Sequence, residues 1–136
     1  LFNRGNRNNP NTTALAFKMA TIETAEPVIK WRKYFVLPDA GVVPLSITDT
    51  CLLEDGTILA SAVAEDTSNA YDDGRLTAAA IVLFAPDLSI LRIEMINPAI
   101  KIEGIYGWLD GGTVRMFAVS DADDPGAAAG LYQGAF

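Results

Sequence analysis

Two stretches of the chain, EDGTILASAVAED (residues 54–66) and LDGGTVRMFAVSDAD (residues 109–123), share one pattern. Each begins with an Asp-Gly turn, continues as an apolar strand and ends in a group of acidic residues. Thr57 and Thr113 hold equivalent places and lie 56 residues apart. A β-rich unit repeated at this spacing indicates a fold built from several similar small sheets. The repeat also puts the acidic groups at equivalent places, with Glu65 matching Asp121.

Composition limits the possible functions before any motif is considered. The 136 residues suffice for one domain with a core, and half of them are apolar. The formal charge of −7 argues against a nucleic-acid partner, because phosphate binding needs a basic surface. The chain has no histidine, which excludes Ser-His-Asp triads and zinc-histidine sites within it. Cys51 is the single cysteine, so no internal disulfide forms, and no apolar run reaches the ~18 residues of a membrane helix.

Short strands separated by turn residues fill most of the chain, which predicts an all-β fold. The predicted strands are 14–19, 30–37, 45–53, 57–64, 78–84, 89–96, 100–108, 113–120 and 130–136. They group into a partial unit (1–38), a complete four-stranded unit (39–97) and most of a last unit (98–136). This organisation predicts antiparallel four-stranded blades of a partial β-propeller, with about two to three blades present. The alternative is a small antiparallel sandwich or barrel.

A propeller needs at least ~4 blades to close, so two or three blades leave unpaired edges. We therefore expect as partners either missing blades of the same protein or a second copy of the chain, and neither a nucleic acid nor a membrane. The chain begins at Leu1 and shows no targeting signal, which suggests a fragment. The compartment, cytoplasmic or periplasmic, stays open.

Acidic side chains recur where strands of neighbouring blades would meet the central channel. Asp49 and Glu103 lie near the start of the innermost strand of their units, and Glu65 and Asp121 lie at the end of the second strand. The inner and second strands run antiparallel, so the start of the inner strand and the end of the second strand lie on the same face of the propeller. Carboxylates brought together repel one another, so either some become protonated or a nearby cation or a metal balances them. If a metal does so, a set without histidine or a thiolate cluster favours Ca²⁺ or Mg²⁺. The alternative is that they are solvated turn residues.

The predicted metal ligands are therefore Glu103, Asp121, Glu65 and Asp49. The predicted substrate-binding residues are Arg4, Asn6 and Asp66, since Arg4 and Asn6 hold the corresponding place in the partial first unit. Arg4 could also balance the carboxylates or orient an anionic substrate. No catalytic residue and no organic cofactor is identified.

Two groups of motifs resemble known propellers. KIEG (residues 101–104) followed by FAVSD (residues 117–121) resembles the SMP-30/gluconolactonase and phytase-like propellers. That resemblance implies that Glu103 and Asp121 are metal ligands in the channel. AEDT (64–67) with YDDG (71–74) and SDADDP (120–125) is similar to a bacterial propeller family of unknown function. By that resemblance the chain is the C-terminal part of such a protein.

Two functions remain open, and the sequence does not decide whether the chain is an enzyme. The first is a divalent-metal-dependent hydrolase of a lactone or phosphate ester, in which the metal activates water. The second is a non-enzymatic propeller that binds a protein or a carbohydrate. Its mark would be an incomplete metal-ligand shell together with an exposed aromatic patch. A purely structural piece is a third possibility.

Overall fold

The computed structural model describes residues 1–3, 11–41, 43–67, 74–97, 99–121 and 126–136, which form three antiparallel β-sheets. Sheet 1 comprises β1 (Phe2–Asn3), β2 (Asn11–Phe17) and β3 (Ile29–Val36). Sheet 2 comprises β4 (Ser46–Leu52), β5 (Ile58–Asp66), β6 (Arg75–Phe84) and β7 (Ile90–Ile96) in that order. Sheet 3 comprises β8 (Ile102–Asp110), β9 (Thr113–Ser120) and β10 (Leu131–Ala135), with β9 in the middle. The all-β, antiparallel prediction is confirmed.

The nine predicted strands each match an observed strand to within three residues at either end. Helical structure in the described ranges is limited to a single 3₁₀ turn, Met19–Thr21. None of the helical structure described is long and apolar enough to span a membrane.

The two repeated Asp-Gly turns form by different local chemistry. In the β4–β5 turn, Gly56 has φ +86°, and the Asp55 carboxylate accepts hydrogen bonds from the Thr57 amide (2.9 Å) and hydroxyl (2.6 Å). These bonds favour the ionised form and lower the pKa of Asp55, the Thr57 hydroxyl having the largest effect. In the β8–β9 turn, Gly111 and Gly112 both have positive φ, 58° and 87°, as a two-residue type I′ turn requires.

Sheets 1 and 2 share one apolar core. Sheet 2 contributes small and aliphatic side chains from β4, β5 and β6, among them Ile47, Ala62 and Val82. Phe35 of sheet 1 meets Phe84 of sheet 2 edge-on, with ring centroids 5.5 Å apart. The alanines of β5 and β6 let the two sheets approach closely.

A second core joins sheets 2 and 3. Leu59 and Ile81 of sheet 2 pack against Ile105 and other residues of β8 and β9. Gly107 is required at this contact, because a Cβ there would lie 2.6 Å from Leu59 Cδ2. Sheet 2 is therefore the middle layer, and β5 is buried on both faces, as the apolar residues on both of its faces predict.

Side chains of β4 also bond to the backbone of β8, which is an edge strand of sheet 3. The Ile105 amide donates to Asp49 Oδ2 at 2.8 Å, and the Gly107 amide donates to Cys51 Sγ at 3.4 Å. Amides of an edge strand that point away from their sheet need a partner when another layer covers them. Asp49 and Cys51 supply that partner and hold the two sheets in register.

Candidate functional site

Seven strands have an end at the same side of sheets 2 and 3, and charged residues gather there. β5, β7 and β9 end at this side, and β4, β6, β8 and β10 begin at it. Glu65 belongs to the end of β5, Lys101 and Glu103 to the start of β8, and Asp121 follows β9. We call these four residues the loop-end cluster.

Lys101 is the centre of the loop-end cluster. Its side chain is 8% exposed, and its Nζ lies 3.4 Å from Glu65 Oε1 and 3.7 Å from Glu103 Oε1. The Glu65 side chain is 3% exposed and that of Glu103 is 38% exposed. Two carboxylates that the sequence predicts as metal ligands therefore converge on one ammonium group. A buried charge is tolerated when it is paired in this way.

Asp121 joins the cluster through its backbone. Its amide donates to the Lys101 carbonyl at 3.1 Å, which continues the β8–β9 pairing beyond Ser120. Its side chain is exposed. The neighbouring Ser120 Oγ accepts a hydrogen bond from the Gly130 amide at 3.1 Å and so ties the start of β10 to the same place.

Asp49 takes a different part. Its carboxylate accepts the Ile105 amide between sheets 2 and 3, as described above. The preceding Thr48 lies at a β-bulge in β4, and its hydroxyl bonds to Ser61 Oγ (2.8 Å) and to the Ile102 carbonyl (2.6 Å). Asp49 thus serves as a contact between strands, and no salt bridge or hydrogen bond from it to Lys101 is found within the described ranges.

Of the three predicted substrate-binding residues, the structure describes only Asp66. Arg4 and Asn6 lie outside the described residues, as do the further acids Asp123 and Asp124. Asp66 ends β5, pairs in register with Arg75 and is exposed.

The predicted metal fits this arrangement only in part. Across the described ranges, no group of three or more His, Cys, Asp or Glu side chains is placed to hold a metal ion. Glu65 and Glu103 supply two carboxylates near one point, whereas Ca²⁺ takes six to eight oxygen ligands. A metal at this point would have to share the space with the Lys101 ammonium.

Lys101 is the residue that the sequence analysis missed. It stands between Ile100 and Ile102, and alternation along a strand puts its side chain on the opposite face from theirs. It also precedes Glu103 by two residues, which is the spacing that puts side chains on one face of a strand. The partner Glu65 is 36 positions earlier, and no local pattern connects the two.

A polar cleft opens beside the loop-end cluster, between sheets 2 and 3. Its volume is about 400 Å³. Lys101, Ser120, Asp121 and Tyr132 contribute its polar groups, and Ile100 is among its apolar ones. An aspartate, a lysine, a serine and a tyrosine therefore line the cleft.

An exposed aromatic patch covers the outer face of sheet 3. Its rings are Tyr106, Trp108 and Phe117, with centroids 6.0 Å apart for the first pair and 5.3 Å for the second. Tyr106 is 61% exposed and Phe117 is 39% exposed. This face points away from sheet 2, because Ile105 and Gly107, which alternate with these residues along β8, pack inward.

The chain belongs to a family of unknown function (DUF6910), whose model matches residues 1–125. No curated protein and no solved structure matches the chain.

Proposed function

We propose that this member of the DUF6910 family is a β-propeller segment that binds a ligand at the loop end of its sheets. The proposed blades are residues 1–38, 39–97 and 98–136. Consecutive sheets stack face to face in chain order, and the middle sheet is covered on both sides. That arrangement is how neighbouring blades pack. Further blades of the same protein or a second copy are then the proposed partners that complete the fold.

The observation that carries the binding function is the position of Lys101 between Glu65 and Glu103. The sequence predicts a divalent cation where these carboxylates meet, and the chain itself supplies a cation there. The cluster thereby becomes a fixed set of paired charges beside an open cleft. Polar groups of both signs held on a rigid scaffold are suited to binding a polar molecule.

The two features that distinguish the binding module from the metal-dependent hydrolase also favour binding. The ligand shell is incomplete among the described side chains, and an exposed aromatic patch is present. These features support the non-enzymatic function, with a carbohydrate or a protein as the partner class.

A metal-dependent hydrolase is the second candidate, because Glu65 and Glu103 do approach one point. If it holds, Glu65, Glu103 and Asp121 would hold Ca²⁺ or Mg²⁺. The ion would supply a polarised water for attack on a lactone or phosphate ester.

Thermal unfolding of wild type and Lys101→Met, with EDTA and then with millimolar Ca²⁺ or Mg²⁺, separates the two candidates. The binding function predicts that divalent ions leave the wild-type Tm unchanged, because the ammonium occupies the cation position. In Lys101→Met the two carboxylates lose that ammonium, so Ca²⁺ should raise the Tm of this variant.

The metal-dependent hydrolase predicts instead that Ca²⁺ or Mg²⁺ raises the Tm of the wild type. A bound ion would stabilise the wild type by ~2.7 kcal/mol at a hundred times its Kd, and Glu103→Gln with Asp121→Asn would abolish this effect. That result would overturn the binding proposal.

A further inference from the structure

The outer edge of sheet 3, strand β10, differs from the other sheet edges in the described ranges. Proteins protect an edge by a short strand, a bulge, charged side chains or cover from another layer. β1 is short, β4 has a bulge, and side chains of β4 bond to the β8 backbone. The charged residues of the other two edges are Lys30, Arg32 and Lys33 of β3 and Arg92 and Glu94 of β7. The sequence of β10, LYQGA, has no charge and no proline, and its register with β9 has no bulge.

The register between β9 and β10 shows which backbone groups of β10 point away from sheet 3. Phe136 and Val114 exchange both backbone hydrogen bonds, and the Ser120 amide donates to the Gly130 carbonyl. Bonded pairs alternate along an antiparallel ladder, so the even-numbered residues of β10 bond to β9. The odd-numbered residues direct their N–H and C=O groups to the open edge. These residues are Leu131, Gln133 and Ala135, and all three are exposed.

Sheet 2 has a fourth strand at the place where sheet 3 ends. Ser61 and Phe117 are equivalent in the repeat, and they pair with Ile81 of β6 and Gln133 of β10 respectively. Ile81 pairs on its other side with Glu94 of β7. A strand alongside β10 would therefore extend sheet 3 as β7 extends sheet 2.

The sequence of β10 is complementary to a second copy of itself. In an antiparallel pair centred on Gln133, Leu131 lies opposite Ala135. Tyr132 then lies opposite Gly134, at a non-hydrogen-bonded site, where side chains are closest. Each large side chain meets a small one, and a cross-strand aromatic ring compensates for a glycine at a sheet edge.

Sheet 2 leaves room beside this edge. The backbones of sheets 2 and 3 approach most closely where β4 and β5 meet β8. Toward β10 the sheets are separated by a cavity of about 170 Å³, which has Ile81 and Ile96 on one side and Tyr132 and Gly134 on the other. The sheets thus diverge toward the open edge.

We propose that β10 pairs with β10 of a second copy, antiparallel about a two-fold axis at Gln133, so that the two three-stranded sheets become one continuous sheet. This inference rests on the part of the proposed function that names a second copy as a partner. The outward groups of Leu131, Gln133 and Ala135 exchange about six backbone hydrogen bonds across the axis. Every contact occurs twice, as in an isologous interface. The interface is narrow, so the dimer should have a Kd in the micromolar to millimolar range.

Sedimentation equilibrium of the wild-type chain, from about 10 µM to about 1 mM, tests for this dimer. Gln133→Lys places two ammonium groups opposite each other at the axis and should raise the Kd by about tenfold or more. Tyr106→Lys is the matched control, because Tyr106, Phe117 and Gln133 lie in one cross-strand row of sheet 3. It adds the same charge at the far edge of the sheet and should leave the Kd unchanged.

Cross-linking tests the register, in a Cys51→Ser background that removes the single native thiol. Gln133→Cys should form a disulfide between copies, because opposite residues of a bonded pair have Cα atoms about 5.5 Å apart. Leu131→Cys should not, because its two copies lie roughly 14 Å apart along the strands.

Three results would overturn the inference. The first is a wild-type monomer throughout the concentration range. The second is a dimer that Tyr106→Lys dissociates and Gln133→Lys does not, which would indicate contact through the aromatic patch. The third is cross-linking at Leu131→Cys in place of Gln133→Cys. Amide exchange at Gln133 of the wild type should also slow as the concentration rises, so the inference stays testable even if a variant does not fold.

This outcome is separate from that of the ligand-binding function. Binding at the loop-end cluster is tested by the response of the Tm to Ca²⁺ and Mg²⁺, whereas the pairing of β10 is tested by mass. A monomer would therefore overturn the dimer and leave the loop-end function intact.

Discussion

β5 and β9 have the same sequence pattern, but their surroundings differ. Leu59 of β5 and Arg115 of β9 hold equivalent places in the repeat, as do Ser61 and Phe117. Leu59 and Ser61 are fully buried between sheets, whereas Phe117 is 39% exposed and Arg115 is exposed. β5 has a sheet on each side, and β9 has one only on its inner side within the described ranges. The repeat thus specifies a strand and its turn, while burial depends on which layers are adjacent.

The largest expected difference concerns the ends of these strands, where Glu65 is buried and Asp121 is exposed. Lys101→Met should lower the free energy of unfolding by about 3–5 kcal/mol, because it removes the ammonium that pairs with the buried Glu65 carboxylate. Asp121→Asn should cost less than about 1 kcal/mol. Urea unfolding measures both. The double variant Lys101→Met/Glu65→Gln should recover most of the loss, and equal costs for the two single variants would refute the contrast.

The middle of the two strands gives the next effect. Leu59→Ala should cost about 2–5 kcal/mol, because it opens a cavity between sheets 2 and 3 beside Gly107. Arg115→Ala, at the equivalent place, should cost less than about 1 kcal/mol, since it removes only an exposed ion pair with Asp110. Chemical denaturation of the pair is the measurement. A loss at Arg115 as large as that at Leu59 would mean that another layer covers sheet 3 in solution.

A smaller effect is expected at the contact between β4 and β8. Asp49→Ala should cost about 1–3 kcal/mol, because the Ile105 amide loses its acceptor between two sheets. Tyr106 occupies in sheet 3 the paired position that Asp49 occupies in sheet 2, and the described part of the chain has no further sheet beyond Tyr106. Because Asp49→Ala removes the acceptor of the Ile105 amide, hydrogen exchange at that amide should accelerate in this variant. Asp49→Asn keeps an oxygen acceptor and should lose less, and unchanged exchange at Ile105 in the alanine variant would contradict the assignment.

The smallest effect lies in the turns. Asp55 accepts two hydrogen bonds from Thr57, which hold its pKa below the ordinary value of 3.8. A lowered native pKa adds stability that is complete above the ordinary pKa and is lost as the pH falls through the native pKa. Asp55→Asn should therefore flatten the acid limb of the stability profile slightly, because this carboxyl is fully exposed. Urea midpoints at several acidic pH values measure the difference. An identical acid limb in the variant would show that the turn makes no such contribution.

The strands and turns could be predicted from sequence because their causes are local. Gly56, Gly111 and Gly112 lie where the turns need a positive φ. Asp55 accepts its hydrogen bonds from Thr57, only two residues later in the chain. The apolar residues on both faces of β5 predicted burial on both faces, and the structure confirms it. These features depend on residues a few positions apart, so a linear pattern contains them.

The position of the candidate site could be predicted from sequence, but the contacts that its side chains make could not. The repeat predicted that acids would gather where strands begin and end, and Glu65 and Glu103 do lie together there. Asp49 was included by the same argument and stays a prediction as a ligand, and its Oδ2 accepts a backbone amide of the next sheet. Which oxygen meets which donor depends on sheet-to-sheet register, and a bulge at Thr48 in β4 changes that register by one residue.

The residues alone assign this chain to the all-β class, locate its strands and exclude catalysis or metal binding by histidine. They do so because propensity, periodicity and composition are properties of the linear chain. The pairing of Lys101 with Glu65 and the contrast between a buried β5 and a half-exposed β9 could not be assigned in that way. Each depends on the distance between residues far apart in sequence. Those distances are set when the sheets pack, since burial and charge pairing are properties of the assembled layers.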